Sequence, residues 1–161
     1  IVGNLPYNIS TPLLFHMVAY VGCFTDLHFM LQREVVERMV AAPSTPEYGR
    51  LSVMLQYRFR MQNLFCVPSS AFRPAPKVDS AVVRLLPLLR PDVAARDESL
   101  FGETVTRAFS HRRKTLRNAL AGVADAVTLQ SVGIDPQARA ETVAVADYVA
   151  LANRLATGAA T

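Results

Sequence analysis

The first part of the chain alternates short apolar runs with stretches in which apolar residues recur every three or four positions. The former pattern is typical of strands and the latter of helices. A first helix is expected to begin at Ser10 or Thr11, either of which can cap it, and to end at Gly22. Strands that alternate with helices favour an α/β fold with a mostly parallel sheet. The predicted strands are residues 1–5, 27–31, 59–67 and 78–86, and the further helices are residues 34–40 and 50–57.

Beyond Pro87 and Pro91 the pattern becomes helical throughout. We therefore predict two domains, an α/β part over residues 1–90 and a small all-α domain over residues 91–161. The helices expected in the second domain cover residues 98–109, 114–121, 126–132 and 145–155.

Composition excludes several classes of protein. Hydrophobic residues make up 51% of the 161 and charged residues 19%, which is typical of a globular protein and not of a disordered one. No apolar run reaches the roughly 18 to 20 residues of a membrane-spanning helix. Cys23 and Cys66 are predicted to be buried thiols in a reducing cytoplasm. His16, His28 and His111 lack the spacing of metal ligands, so we expect no metal site.

The net charge of +4 is unevenly distributed. Residues 1–90 contain nine Lys and Arg against five Asp and Glu, whereas residues 91–161 contain eight of each kind. Two stretches of the chain contain several basic residues and no acidic ones. Such clusters can neutralise the phosphates of a nucleic acid, although the same charge is also typical of a solvated basic face. The basic residues in these stretches are Arg50, Arg58, Arg60, Arg73 and Lys77 in the first, and Arg107, Arg112, Arg113, Lys114 and Arg117 in the second.

The segment Asn4-Leu5-Pro6-Tyr7 carries the most specific chemistry in the sequence. An enzyme that methylates the exocyclic amine of adenine must accept hydrogen bonds from that amine and hold the flipped base against an aromatic face. Asn4 offers a side-chain carbonyl, Leu5 a backbone carbonyl and Tyr7 a ring. Pro6 fixes its own φ and restricts the residue before it, so the acceptors are preset. We predict that these four residues capture a flipped adenine.

This motif resembles the Asn/Asp-x-Pro-Tyr/Phe signature of adenine-N6 methyltransferases. Three further segments extend the resemblance, namely Tyr48–Val53, Phe72–Ser80 and the run Arg112-Arg113-Lys114-Thr115-Leu116-Arg117-Asn118. In this order, the four segments resemble the small-subunit (16S) branch of the rRNA adenine dimethyltransferases. The large-subunit rRNA methyltransferases that confer antibiotic resistance share the first motif, but the last run favours the small-subunit branch.

The resemblance implies a Rossmann-like sheet of an S-adenosylmethionine-dependent methyltransferase, with an antiparallel last pair of strands. It also implies that Phe72 lies across the target adenine from Tyr7, whereas an isolated Phe in such a loop would be a hydrophobic plug. The expected catalytic site is then Asn4, Leu5, Pro6, Tyr7 and Phe72, with Asn4 and Leu5 also next to the cofactor. The residues expected to contact small-subunit rRNA are Arg73, Lys77, Arg107, Arg112, Arg113, Lys114 and Arg117.

Members of that family carry a glycine-rich cofactor loop upstream of the motif. The seven glycines of this chain form no G-x-G, and the chain begins without Met inside an apolar strand pattern. We therefore expect the C-terminal portion of a methyltransferase, which lacks most of its S-adenosylmethionine site and is inactive alone. A natural short protein that uses the same strand for another purpose is the alternative.

The predicted function is dimethylation of adenine N6 in 16S rRNA, on immature 30S subunits in the cytoplasm during ribosome biogenesis. Two other interpretations stay open, a non-catalytic rRNA-binding assembly module and a purely structural fragment. A glycine-rich strand–turn–helix encoded upstream would decide for the enzyme. The Ile1–Leu5 strand would be an exposed sheet edge in such a fragment, so we also expect self-association.

Overall fold

A computed structural model describes residues 1–88, 94–111 and 113–158. The chain forms two compact units, Ile1–Ala41 with Leu55–Leu89, and Ala42–Met54 with Arg90–Thr161. The domain boundary expected near residue 91 lies outside the described residues. Residues 42–54 group with the second unit. A single boundary near residue 91 would have placed them in the first.

The first unit is built on four strands, β1 (Val2–Asn4), β2 (Leu27–Gln32), β3 (Phe59–Val67) and β4 (Ser80–Pro87). They form one sheet in the order β1-β2-β4-β3. β1 and β2 are parallel, whereas β4 is antiparallel to both β2 and β3. The predicted α/β class and the antiparallel last pair are confirmed. Because β4 is antiparallel to both of its neighbours, β1, β2 and β3 all run in the same direction, and the prediction of a mostly parallel sheet is confirmed for these strands as well.

Three helices follow the first strands, α1 (Ser10–Val18), α2 (Arg33–Val40) and α3 (Arg50–Gln56). The cap predicted at Ser10 or Thr11 is wrong, since α1 has no side-chain cap and the Ser10 hydroxyl donates to the Tyr7 carbonyl at 3.1 Å. Gly22 does not end α1 either. At the end of α1, backbone hydrogen bonds join residues three positions apart instead of four. Gly22 lies in a separate 3₁₀ turn, Val21–Cys23.

The centre of the sheet is the core of the first unit. Leu27, Phe29 and Leu31 alternate along β2 with partly exposed residues, and each is at most 1% exposed. Val83 and Leu85 of β4 lie opposite Phe29 and Leu27 and are equally buried. Burial of such a side chain contributes about 1.5–3 kcal/mol. The loops that follow β1 and precede β4 are therefore attached to a well-packed platform.

The second unit contains α4 (Glu98–Phe109), α5 (Leu116–Ala119), α6 (Ala126–Ser131) and α7 (Val145–Gly158). Asp97 and Asp125 cap α4 and α6, each accepting a hydrogen bond from a backbone N–H three residues further on. The helix predicted over residues 114–121 is shorter than expected. Thr115 forms a β-bridge with Arg139, so the backbone before α5 is paired with a distant segment.

Tyr48 ties the segment between α2 and α3 to the helices of the second unit. Its hydroxyl donates to the Val143 carbonyl at 3.0 Å, and the hydroxyl of Tyr148 donates to the Ala140 carbonyl at 2.9 Å. The ring of Phe109 packs against both tyrosine rings, with centroids 6.4 and 6.0 Å away. These contacts explain why the segment groups with the helices.

Cys23 and Cys66 are free and exposed, so the prediction that they are buried is wrong. Apolar neighbours in the sequence suggested burial, but Cys66 lies on the edge strand β3, where residues 62–66 are all exposed. Within the described ranges, no helix combines the length and the apolar character needed to cross a membrane.

Candidate functional site

The Asn4–Tyr7 motif lies where β1 ends and the chain turns toward α1. The N–H of Leu5 donates to the Met30 carbonyl of β2 at 3.1 Å, which extends the parallel pairing by one residue. The N–H of Ile9 donates to the Pro6 carbonyl at 3.2 Å and closes a turn. Backbone hydrogen bonds therefore hold the motif on both sides.

Phe72 lies in a second loop, which joins β3 to β4. This loop begins with a 3₁₀ turn at Ser69–Ala71 and contains a cis peptide bond between Arg73 and Pro74. The carboxylate of Asp79 accepts a hydrogen bond from the Ser69 N–H at 2.9 Å. That bond ties the start of the loop to its end.

The two loops enclose a pocket of about 290 Å³. All five residues predicted for the capture of adenine line it, together with two prolines of the second loop, although their roles stay a prediction. The lining residues are Asn4, Leu5, Pro6, Tyr7, Phe72, Pro74 and Pro76.

The pocket wall combines one polar side chain with apolar and aromatic surface. Asn4 is exposed, Tyr7 and Phe72 are half-buried, and Leu5 is buried. The described lining contains no carboxylate, imidazole or ammonium group. A flat ring with a hydrogen-bond donor suits this arrangement, because it can stack on the aromatic faces while Asn4 accepts from the donor.

Ser80 contacts this site, although the sequence analysis assigned it no role. Its hydroxyl and that of Tyr7 share a hydrogen bond of 2.6 Å, and Ser80 itself is fully buried. The backbone carbonyl of Tyr7 accepts from Ser10, as described above, so Tyr7 is held both at its main chain and at the far end of its ring. Ser80 stands in the segment Phe72–Ser80 that the sequence singled out, but its partner lies 73 residues away.

Two of the predicted basic residues, Arg73 and Lys77, belong to the second loop and are exposed. Lys77 also lines a separate depression of about 420 Å³ at the ends of β2 and β4. Carboxylates of Glu34, Glu37 and Asp79 line the same depression, so the charge around Lys77 is mixed.

The remaining basic residues belong to the second unit. Arg113, Lys114 and Arg117 are exposed around the start of α5, while Arg112 lies outside the described residues. Arg107 differs from them, because its guanidinium Nη2 donates to the Ala121 carbonyl at 2.6 Å. At least part of its bonding capacity is therefore used within the fold.

Comparison with known proteins points to one family. A family model described as ribosomal RNA adenine dimethylase matches residues 1–157. The ribosomal RNA small subunit methyltransferase A of Chromobacterium violaceum is 62% identical over 155 residues, which cover 96% of this chain and 59% of that protein. The protein of the same name from Methylobacillus flagellatus is 61% identical over 156 residues, which cover 97% of this chain and 61% of the relative. The chain thus spans about three fifths of the length of these curated relatives.

Two solved structures share the fold. A dimethyladenosine transferase from Plasmodium falciparum has a TM-score of 0.80 at 24% identity, over 93% of this chain and 64% of that chain. The 23S rRNA methyltransferase ErmE has a TM-score of 0.69 at 23% identity, over 96% of this chain and 64% of that chain.

Proposed function

This chain belongs to the ribosomal RNA adenine dimethylase family, and from that premise we propose that the protein transfers methyl groups from S-adenosylmethionine to N6 of adenines in small-subunit rRNA, giving N6,N6-dimethyladenine. The observation that carries the proposal is the pocket in which the Asn4–Tyr7 motif meets Phe72. Its lining matches what a flipped adenine requires, two acceptors for the amine and two aromatic rings.

The acceptors orient the amine. The side-chain carbonyl of Asn4 and the backbone carbonyl of Leu5 accept the two N6 hydrogens and direct the nitrogen lone pair toward the incoming methyl group. Positive charge develops on N6 during attack, and the same two carbonyl dipoles stabilise it. Because Leu5 is bonded to β2 through its N–H, its carbonyl is held in place before the base arrives.

The aromatic residues hold the ring. Tyr7 and Phe72 lie on different loops and sandwich the adenine between them. Stacking on an aromatic side chain is worth about 1–3 kcal/mol per base, which offsets part of the cost of unstacking the target. Tyr7 adds a cation–π attraction to the charge that develops on N6.

No general base is required in this mechanism. The described lining offers none, and the proton leaves easily once the nitrogen carries a fourth substituent. The rate enhancement then comes mainly from positioning the amine against the methyl donor.

The residues present fit the reactive end of S-adenosylmethionine, which supplies the methyl group when bound. Asn4 ends β1 and Leu5 follows it, at the carboxyl end of the parallel β1–β2 pair, where sheets of this kind bind ligands. The sequence has no glycine-rich turn for the rest of the cofactor, so we infer that residues 1–161 by themselves do not sustain turnover.

The exposed basic residues supply the contacts to rRNA in this proposal. Arg73 and Lys77 belong to the loop that carries Phe72, and Arg113, Lys114 and Arg117 form a basic surface around the start of α5. We extend the proposal to Arg107 and Arg112 as predicted from the sequence. The substrate is then an immature 30S subunit in the cytoplasm.

A non-catalytic RNA-binding module is the second candidate, because the basic surface around α5 is exposed independently of the pocket. Reverse transcription separates the two candidates, since two methyl groups on N6 block base pairing. The complete gene, expressed in bacteria that lack their own enzyme, should produce stops at adenines of small-subunit rRNA, and a Tyr7→Ala variant should not. Binding to the small subunit without such stops would favour the module.

A further inference from the structure

Two consecutive residues at the start of β4 contact both loops of the pocket. Ser80 shares the 2.6 Å hydrogen bond with the hydroxyl of Tyr7. Asp79, the residue before it, accepts the 2.9 Å hydrogen bond from the N–H of Ser69, three residues before Phe72. Each aromatic wall of the pocket is thus linked to the same point of the sheet.

The start of β4 is held by strand pairing on both sides. Ser80 pairs with Gln32 of β2 on one side and with Val67 of β3 on the other, and it is fully buried. A hydroxyl in such a place needs a hydrogen-bond partner, and the phenol of Tyr7 is the partner it has. The bond acts on the end of the ring farthest from the backbone, where it restricts sideways movement of the ring most.

We propose that Asp79 and Ser80 are positioning residues for the target base, an inference that rests on the proposed function. Ser80 fixes the position of the far end of the Tyr7 ring, and Asp79 fixes the start of the loop that carries Phe72. Stacking on both faces requires two parallel rings at a fixed separation. Because Tyr7 and the loop that carries Phe72 are both hydrogen-bonded to the start of β4, the separation of the two rings is set before the adenine enters.

The principal test is a double-mutant cycle in the complete protein, with methyl transfer to unmethylated small subunits as the readout. Ser80→Ala and Tyr7→Phe each remove the bond, from the buried and the pocket side respectively. Each should lower kcat about three- to tenfold with little change in KM, as expected for loss of one neutral hydrogen bond that acts in the transition state. The double variant should be no slower than either single variant.

A second cycle tests Asp79. Asp79→Ala should lower kcat in the wild-type background and have no further effect in a Phe72→Ala background, while Asp79→Asn, which keeps an acceptor, should restore most of the rate. Circular dichroism of each variant separates a loss of rate from a loss of folded protein.

The outcomes are distinct. Rates that multiply in the first cycle, or a Ser80→Ala variant with wild-type kcat, would overturn the role of Ser80 and leave the proposed function standing. Independent effects of Asp79→Ala and Phe72→Ala would overturn the role of Asp79. A wild-type protein that transfers no methyl group would overturn the proposed function and this inference with it.

Discussion

Tyr7 and Phe72 line the same pocket, although one follows the first strand of the sheet and the other lies in the loop before the last. The order of the strands explains this meeting. β4 runs antiparallel beside β2, so β4 begins where β1 and β2 end. The loop before β4 and the turn after β1 therefore lie at the same end of the strands. The meeting of these two aromatic residues in one pocket is therefore a consequence of the topology.

Replacement of Phe72 by Ala should lower kcat/KM for methyl transfer about 5- to 150-fold, which corresponds to the roughly 1–3 kcal/mol of one base–aromatic stack. Phe65→Ala is the matched control, since Phe65 is 57% exposed on β3 and does not line the pocket. Steady-state kinetics on unmethylated small subunits provide the measurement. Equal losses in the two variants would show that Phe72 is only a hydrophobic plug.

Local signals in the sequence predicted those elements that local interactions decide. Helix α4 and strand β3 have the bounds expected from the sequence, and the structure shows that Asp97 caps the start of that helix. The specific chemistry of Asn4 and Tyr7 directed attention to a turn that does line a pocket, although their roles stay a prediction.

Features that depend on distant partners escaped prediction. The shortening of α5 depends on pairing between Thr115 and Arg139, and the placement of the segment between α2 and α3 depends on the contact from Tyr48 to Val143. The link from Tyr7 to Ser80 is of the same kind. Nothing in the pattern around Ser80 indicates which side chain its hydroxyl meets.

Neutral replacement of Arg113, Lys114 or Arg117 by Gln should weaken binding to the small subunit and reduce the slope of log K against log salt. Loss of one phosphate contact changes that slope by about 0.7–0.9. Arg38→Gln is the control, because Arg38 is ion-paired with Glu34 on α2. Binding measured over a range of salt concentrations decides the matter, and slopes equal to that of the control would identify a solvated basic face.

The stability of the second unit should fall as the pH rises from about 10 to about 12. Burial, with a smaller contribution from the Asp147 carboxylate, raises the pKa of Tyr48 to about 12. An unfolded tyrosine ionises near pH 10, so above that pH the unfolded state loses a proton that the folded state keeps, and unfolding becomes more favourable. Burial raises the pKa of Tyr148 as well, which acts in the same direction.

Urea denaturation at several pH values measures this effect. Tyr48→Phe removes one ionisable group and should make the decline above pH 10 shallower, although the lost bond to Val143 lowers stability at every pH. Parallel curves for the variant and the wild type would contradict the assignment to Tyr48.

The chain of residues 1–161 should self-associate through β1. This strand lies at an edge of the sheet, and Val2 is 84% exposed. A charged residue on an edge strand opposes pairing between sheets, so Val2→Lys should shift the chain toward monomer. Val127→Lys is the control, since Val127 is 72% exposed on α6 and belongs to no strand. Light scattering that finds wild-type monomer at high concentration would refute this prediction.

The measurement that tests the central claim most directly is transfer of labelled methyl from S-adenosylmethionine to unmethylated small ribosomal subunits by the complete protein. The wild type should label N6 of adenine, and Asn4→Ala should lower the rate about 10²- to 10³-fold, as for loss of one transition-state hydrogen bond. Asn8→Ala should keep the wild-type rate, because Asn8 is an exposed amide in the same turn that does not line the pocket. An Asn4→Ala variant as fast as the Asn8→Ala control would contradict the account of the pocket.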